Sequence, residues 1–313
     1  MRMTSIQPGA RASRRRGFAL VELLAALIIT LVLGAAVVRL LDRSQRFARG
    51  FATMADQRAQ LPVAAFAVEG ALAAIAPGDG DLVAGSDSSV HLHGTVGSAV
   101  ACAIGAGTID VADPQLASGA TLTWWNTAPQ PGDSVAILDE GSSLAADDDT
   151  WYHGALSAIA TRAAPCLHTP YLDSILDASS RGWRLAVAQP LPATILPGAV
   201  VRIQRPERFA LYRSAGEWML GWTEWNHAAA AWNTIQPVAG PLLPYAAPGA
   251  TSGFSIRWVD STGAAVAPGA GGGARGAYVG FGGTTRELVR VDGVARPSRR
   301  DSLTLRLVLR NAP

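Results

Sequence analysis

The hydrophobic pattern divides the chain into an unbroken apolar run, an amphipathic continuation and a long alternating remainder. Phe18 to Val38 is 21 residues long and holds one ionisable side chain, Glu22. At about 1.5 Å per residue such a helix spans roughly 30 Å, the thickness of a bilayer's hydrocarbon. Beyond it, Leu40, Leu41, Phe47, Phe51 and Met54 fall on one stripe and predict that the helix continues in amphipathic form. Pro62 removes a backbone donor inside this run and predicts a kink. Good helix formers resume from Val63 to Ala76, until Pro77-Gly78-Asp79-Gly80 stops them. One kinked helix from Phe18 to about Ala76 is therefore expected. It would span a membrane over 18–41, be amphipathic over 42–76, and pack its outer half against a head formed by 77–313.

In the head, short apolar-alternating runs are separated by Gly, Pro, Asn and Asp. Strands are predicted at Val90–His93, Thr121–Trp125, Ser134–Leu138, Trp183–Ala188, Val200–Gln204, Phe209–Arg213, Trp218–Glu224, Phe254–Val259, Glu287–Val291 and Ser302–Arg310. Phe209–Arg213 and Glu217–Trp225 flank Ser214-Ala215-Gly216, which predicts a hairpin with a three-residue loop and a left-handed glycine. In the last run Leu303, Leu305, Leu307 and Leu309 alternate with Thr304, Arg306 and Val308, as a half-buried closing strand does. The fold class is α+β: a long helix followed by a single antiparallel-rich β head without internal repeats.

Charge adds a direction. The 26 basic residues are all Arg and face 24 acids, for a formal charge of +2. Five of the Arg lie within the first 16 residues, where there is no acid. Arginines ahead of the span hold the leader in the cytoplasm and translocate everything after Arg39. Without residues 1–17 the chain has 21 basic against 24 acidic residues, a charge of −3. The absence of lysine excludes phosphate loops ending in Gly-Lys-Ser/Thr, Schiff-base lysines and kinase-type lysines.

Three general readings compete for the N-terminal segment. A secretory signal would be cut near Gly34-Ala35-Ala36. A twin-arginine signal is suggested by Ser13-Arg14-Arg15, although Gly17 stands where that signal has Phe. A plain signal anchor needs no processing. None of the three accounts for Glu22, because a carboxylate in hydrocarbon costs several kcal/mol (~3 or more) unless it finds a partner.

The string Arg16-Gly17-Phe18-Ala19-Leu20-Val21-Glu22-Leu23-Leu24 resembles the class III leader of type IV prepilins and type II secretion pseudopilins, with the likeness sharp over residues 14–41. The resemblance implies that prepilin peptidase cuts between Gly17 and Phe18 and methylates the Phe18 amine. It also implies that Glu22 sets the axial register by pairing with the Phe18 amine of a neighbouring subunit; the alternative is a Glu22 that snorkels or is protonated in the bilayer. The implied location is the inner membrane, single-pass with a periplasmic head, and then a pilus or pseudopilus. The implied partners are prepilin peptidase, other minor pilins or pseudopilins, the major subunit and the assembly platform protein. At 296 residues after cleavage the chain is large for a repeating unit, which favours a minor subunit. The family's tip-most large subunit often lacks the glutamate, so Glu22 favours a position just below the tip.

Cys102 and Cys166 are the only cysteines, and in an oxidising periplasm a disulfide is expected; two buried thiols are the other state the sequence allows. Other constellations are weaker. Gly132-Asp133-Ser134-Val135 resembles the first block of a lipase-like hydrolase, but none of His91, His93, His153, His168 or His227 has an Asp three places before it. His91 and His93 share a strand face without a third metal ligand at a recognisable spacing. Asp79, Asp81 and Asp87, or Asp147, Asp148 and Asp149, lack EF-hand spacing and read as loops. The glycine-rich stretch Gly269 to Gly276 reads as a flexible loop. Trp124, Trp125, Trp218, Trp222, Trp225 and Trp232 read as core or sheet-face residues. With Arg202, Arg205, Arg208 and Arg213 they would be the place to look for nucleic-acid binding, a partner the sequence otherwise disfavours. No enzyme activity, cofactor or metal is expected. The alternatives to a fibre subunit are a tip adhesin or DNA-binding minor pilin and, less favoured, a signal-anchored periplasmic enzyme.

Overall fold

The computed structural model describes residues 20–142, 148–163, 166, 169–170, 172–246, 250–267, 273–284, 290–291, 294–295 and 300–309. Leu20–Ala73 forms one α-helix, α1, that continues through Pro62 and is followed by a 3-10 turn at Pro77–Asp79. From Leu20 to Arg49 every residue of α1 is exposed, and the first buried one is Gln57. The expected packing of the outer half is thus confined to the last turns, and the stripe of Leu40, Leu41, Phe47 and Phe51 stands clear of the head. From Gln57 onward the buried positions Leu61, Ala64, Ala65, Val68 and Leu72 recur at helical spacing and form the side that meets the sheet.

The described head is antiparallel throughout. Its strands are β1 (Leu82–Gly85), β2 (Ser89–Gly105), β3 (Thr108–Ala112), β4 (Thr123–Trp125), β5 (Ser134–Asp139), β6 (Thr150–Ala163), β7 (Arg181–Val187) and β8 (Val200–Ser214). They are followed by β9 (Glu217–Asn226), β10 (Ala231–Trp232), β11 (Gln236–Leu242), β12 (Phe254–Val259), β13 (Gly276–Thr284), β14 (Arg290–Val291), β15 (Val294–Ala295) and β16 (Arg300–Val308). The longest ladder joins β2 to β8, from Ser89↔Ala210 to Val100↔Val200. It carries two separate cores.

In the first core, α1 packs on a sheet built from β9, β11, β12, β13, β16 and the outer parts of β2 and β8. Val68 and Leu72 share this core with Phe209, Leu242, Phe254 and Phe281. Phe254 and Phe281 are cross-strand partners with centroids 5.6 Å apart. Gly283 of β13 lies where a Cβ would come within 3.0 Å of Gln57 Nε2, so the absent side chain lets helix and strand approach. The second core lies inside a closed circuit. The second half of β2 pairs β3, β3 pairs β7, β7 pairs β6, β6 pairs β5, β5 pairs β8, and β8 returns to β2. Bulges between Ala101 and Ala103 and between Leu156 and Ala158 mark where β2 and β6 bend to change partners. This six-stranded barrel is filled by Ile109, Val111, Ile137, Leu185, Val201 and Ile203.

Several sequence expectations need correction. Val200–Gln204 and Phe209–Arg213 are one strand, because Pro206 stands at the seam where β8 leaves β5 after Gln204 and meets β9 at Glu207, so its missing N–H breaks no ladder on that edge. The hairpin loop has two residues rather than three: Ser214 pairs Glu217, and Ala215 (φ 49°) and Gly216 (φ 88°) are both left-handed, as a type I′ turn requires. The loop expected over 269–276 ends in β13, which begins at Gly276; residues 269–272 lie outside the described ones. The predicted run Glu287–Val291 is described only at Arg290–Val291. The closing strand alternates as expected, with Leu303, Leu305 and Leu307 half-buried against the first core and Thr304, Arg306 and Val308 exposed.

A buried carboxylate ties α1 to both cores. Asp81, 2% exposed, accepts from Ala76 N (2.8 Å), Gln204 Nε2 (2.7 Å) and Arg202 Nη2 (3.1 Å). Arg202 Nη2 also donates to Ala74 O at the end of the helical segment (3.3 Å). Removing the carboxylate strands a largely buried guanidinium and an amide. Asp81→Ala is therefore expected to destabilise the full chain in detergent by about 3 kcal/mol in urea unfolding. A loss under about 1 kcal/mol, that of an ordinary exposed pair, would refute this role.

Candidate functional site

The segment singled out by the sequence is the first part of α1. Gly17 and Phe18 lie outside the described residues. Glu22 lies within the first turn of the described helix, exposed, and no ion pair includes it among the described residues. Its neighbours Leu20, Val21, Leu23 and Leu24 are all more than half exposed, as are Leu27, Ile28 and Leu31. Length and composition suffice for α1 to cross a membrane, and no part of the qualifying window is buried. A soluble chain has no reason to present such a surface to water. The geometry is that of one helix with two environments: apolar and unpartnered at 20–41, built into a protein core from Gln57.

Cys102, on β2 in the barrel, and Cys166, past the end of β6, form a disulfide with Cα atoms 5.3 Å apart and a sequence separation of 64. Both are buried beside Ala112 and Leu116. By the chain-entropy estimate, closing a loop of that length contributes about 4 kcal/mol to stability.

The other constellations do not assemble. Asp133 is fully buried and held in two-pronged fashion by Arg205, with Nε to Oδ1 at 2.8 Å and Nη2 to Oδ2 at 2.9 Å. His227 Nε2 comes within 3.2 Å of Asp133 Oδ1, and no hydrogen bond joins Ser134 to a histidine among the described residues. Asp79, Asp81 and Asp87 go separate ways: Asp81 to Arg202 and Gln204, Asp87 to the Tyr245 hydroxyl. Asp148 accepts from Ser142 N at 2.9 Å, while Asp147 lies outside the described residues, as does His168. Among the described residues no three His, Cys, Asp or Glu side chains are placed to hold a metal ion.

The arginines that the sequence grouped with the tryptophans are dispersed. Arg202 and Arg205 are consumed by Asp81 and Asp133, and Arg213 Nε donates to Gly216 O. Arg208 lies over the Trp232 ring at 5.2 Å, and Trp232 meets Trp225 and His91 edge-on. Trp222 Nε1 donates to Glu207 Oε2 at 2.8 Å, and burial raises the Glu207 pKa. The sequence missed this polar seam along β8; its only trace is that Arg202 and Gln204 alternate with the core residues Val201 and Ile203.

Comparison with known proteins bears on the N-terminus. Residues 12–38 match the family model of the prokaryotic N-terminal methylation motif, a stretch that includes Gly17, Phe18 and Glu22. No curated protein and no solved structure matches the chain. The motif supports a type IV pilin-like protein processed at its N-terminus, which implies prepilin peptidase as a partner, assembly with other pilins, and membrane anchoring followed by a pilus.

His93 gives the fold a measurable pH dependence. Burial, with help from His153 and against Asp81, lowers its pKa below the ordinary 6.5. The folded state binds this proton less readily than the unfolded chain does. His93's contribution is thus complete above pH 6.5 and is lost as pH falls through that value. His93→Gln is expected to gain stability relative to wild type between about pH 7.5 and about pH 5. A difference in urea midpoint that stays constant over that range would contradict this.

Proposed function

We propose that this chain is a minor pilin or minor pseudopilin, a non-enzymatic assembly subunit of a type IV pilus or type II secretion pseudopilus that enters the fibre near its tip through α1. The observation that carries the reading is the methylation motif placed at the head of a helix that is wholly exposed over 20–41 and built into a protein core beyond Gln57. One end of such a helix is free to exchange lipid for the helices of other subunits; the other end moves the head with it.

Glu22 supplies the register. Cleavage after Gly17 creates a cationic amine at Phe18 in each subunit, and methylation leaves it charged. A carboxylate four residues along, in hydrocarbon, gains most by meeting such an amine on a neighbour. The large two-core head suits a low-copy position, since a head of this bulk on every helix would crowd a fibre. Retention of Glu22 supports a place below the tip-most subunit.

The mature N-terminus decides the class. Mass spectrometry is expected to find methylated Phe18; a start at Val37, or an intact Met1, overturns the reading. For the register role, Glu22→Ala is expected to be processed normally and to disappear from sheared fibres. Wild-type amounts of the variant in those fibres would refute the pairing.

A further inference from the structure

Between the apolar run and the head, α1 carries an arginine stripe that the chain barely neutralises. Arg39, Arg43, Arg46 and Arg49 follow one another at spacings of four, three and three, which sets them on one side of the helix within about 15 Å of its length. All four are exposed. Arg46 pairs with Asp42 across one exposed turn at 2.5 Å; Arg39, Arg43 and Arg49 form no ion pair among the described residues. Residues 39–49 thus carry a formal charge of +3. About a quarter-turn away, Leu40, Phe47 and Phe51 are 69%, 69% and 66% exposed, and the two rings stack at 6.3 Å. The head does not cover this segment, since burial of α1 begins at Gln57.

Position selects the occupant. The interfacial layer beyond the hydrocarbon is about 5–8 Å thick on each side. A helix whose hydrocarbon-spanning run ends at Val38 places Arg39 and Arg43 inside that layer. Arg46 lies within reach of it, because a long arginine stem bends its head toward the interface, and Arg49 adds positive charge within about a Debye length of the lipid surface. Guanidinium groups bind phosphate in two-pronged fashion, and Leu40 on the adjoining side lies at the boundary between acyl chains and headgroups. A second copy of this chain fits poorly, since its stalk over the same residues offers one carboxylate, Asp42, against four arginines.

We propose that Arg39, Arg43, Arg46 and Arg49 form a binding site for anionic phospholipid headgroups in the leaflet from which α1 emerges. The site rests on the membrane-spanning reading of α1 and is independent of fibre assembly. Lipid held there would fix the depth and tilt of the stalk, and with them the height of the head above the membrane. It would have to be released when the helix leaves the bilayer.

The test uses the full chain and its Arg39→Gln/Arg43→Gln/Arg49→Gln variant in vesicles of phosphatidylcholine containing phosphatidylglycerol. Spin-labelled phosphatidylglycerol and phosphatidylcholine report which lipid is immobilised by the protein. The five leader arginines are present in both chains, so they do not contribute to the difference. The wild type is expected to prefer phosphatidylglycerol, and the variant to lose about threefold or more of that preference, with high salt erasing the same increment. Equal preference in the two chains, with both resisting carbonate extraction, overturns the site and leaves the spanning helix intact. Wild type that extracts with carbonate overturns the spanning reading and the site with it. An unchanged lipid preference combined with lost cross-linking of the variant to a partner pilin overturns the site in favour of an acidic protein surface.

Discussion

The antiparallel ladder between β2 and β8 is the constraint on which the rest of the head depends. Each strand is long enough to serve two cores, so the same backbone hydrogen bonds hold the helix-bearing sheet on one side and the barrel on the other. Along this ladder the polar residues of β8 are pinned in sequence. Arg202 and Gln204 go to Asp81 under the end of α1, Arg205 to Asp133 at the start of β5, and Glu207 to Trp222 on β9. Gly94 makes room for the last of these, because a Cβ there would fall 2.3 Å from the Glu207 carboxyl carbon. A slip of one residue would turn every one of these groups into the wrong face, and this fixes the register more firmly than apolar alternation alone.

The lysine-free composition takes on a structural meaning in this light. Three buried carboxylates, Asp81, Asp110 and Asp133, each face an arginine, and for Asp110 and Asp133 the contact is two-pronged. A planar fork with a fixed set of donors satisfies both oxygens of a desolvated carboxylate, which a lysine ammonium cannot do from one position. Arg39, Arg43 and Arg49 of the stalk use the same group in the opposite setting, exposed and outside any ion pair among the described residues.

What the sequence made legible follows from where the information is local. The helix was readable because the run from Phe18 to Val38 is long and apolar enough to be helical whatever its processing, and Glu22 stood out as its one ionisable residue. The disulfide followed from two cysteines in a head that the leader's arginines mark for translocation as an expectation of the sequence. Strands with clear alternation, such as Phe254–Val259 and Ser134 onward, were placed well. Others were hidden by composition. β6 contains four alanines and a glycine and has little β propensity of its own, and β13 spends four of nine positions on glycine so that α1 and its neighbours can approach. The closure of the barrel was out of reach for a different reason. It depends on pairings between residues as far apart as Thr108 and Ala186, and on two bulges that redirect strands, and neither leaves a mark in any short window.

The β2–β8 ladder ends where Val100 pairs directly with Val200, while β2 itself runs on to Gly105 to pair β3. Everything between Val100 and Val200 completes the barrel and carries the disulfide, while the helix-bearing sheet is made from what lies outside. Topologically, the barrel strands and the disulfide loop form an excursion from the end of a hairpin. A lineage can therefore enlarge, exchange or shed that excursion through a single pair of neighbouring backbone positions. The surface a subunit of this kind offers to its surroundings is then free to diversify, while the helix, its anchoring sheet and Asp81 keep their geometry.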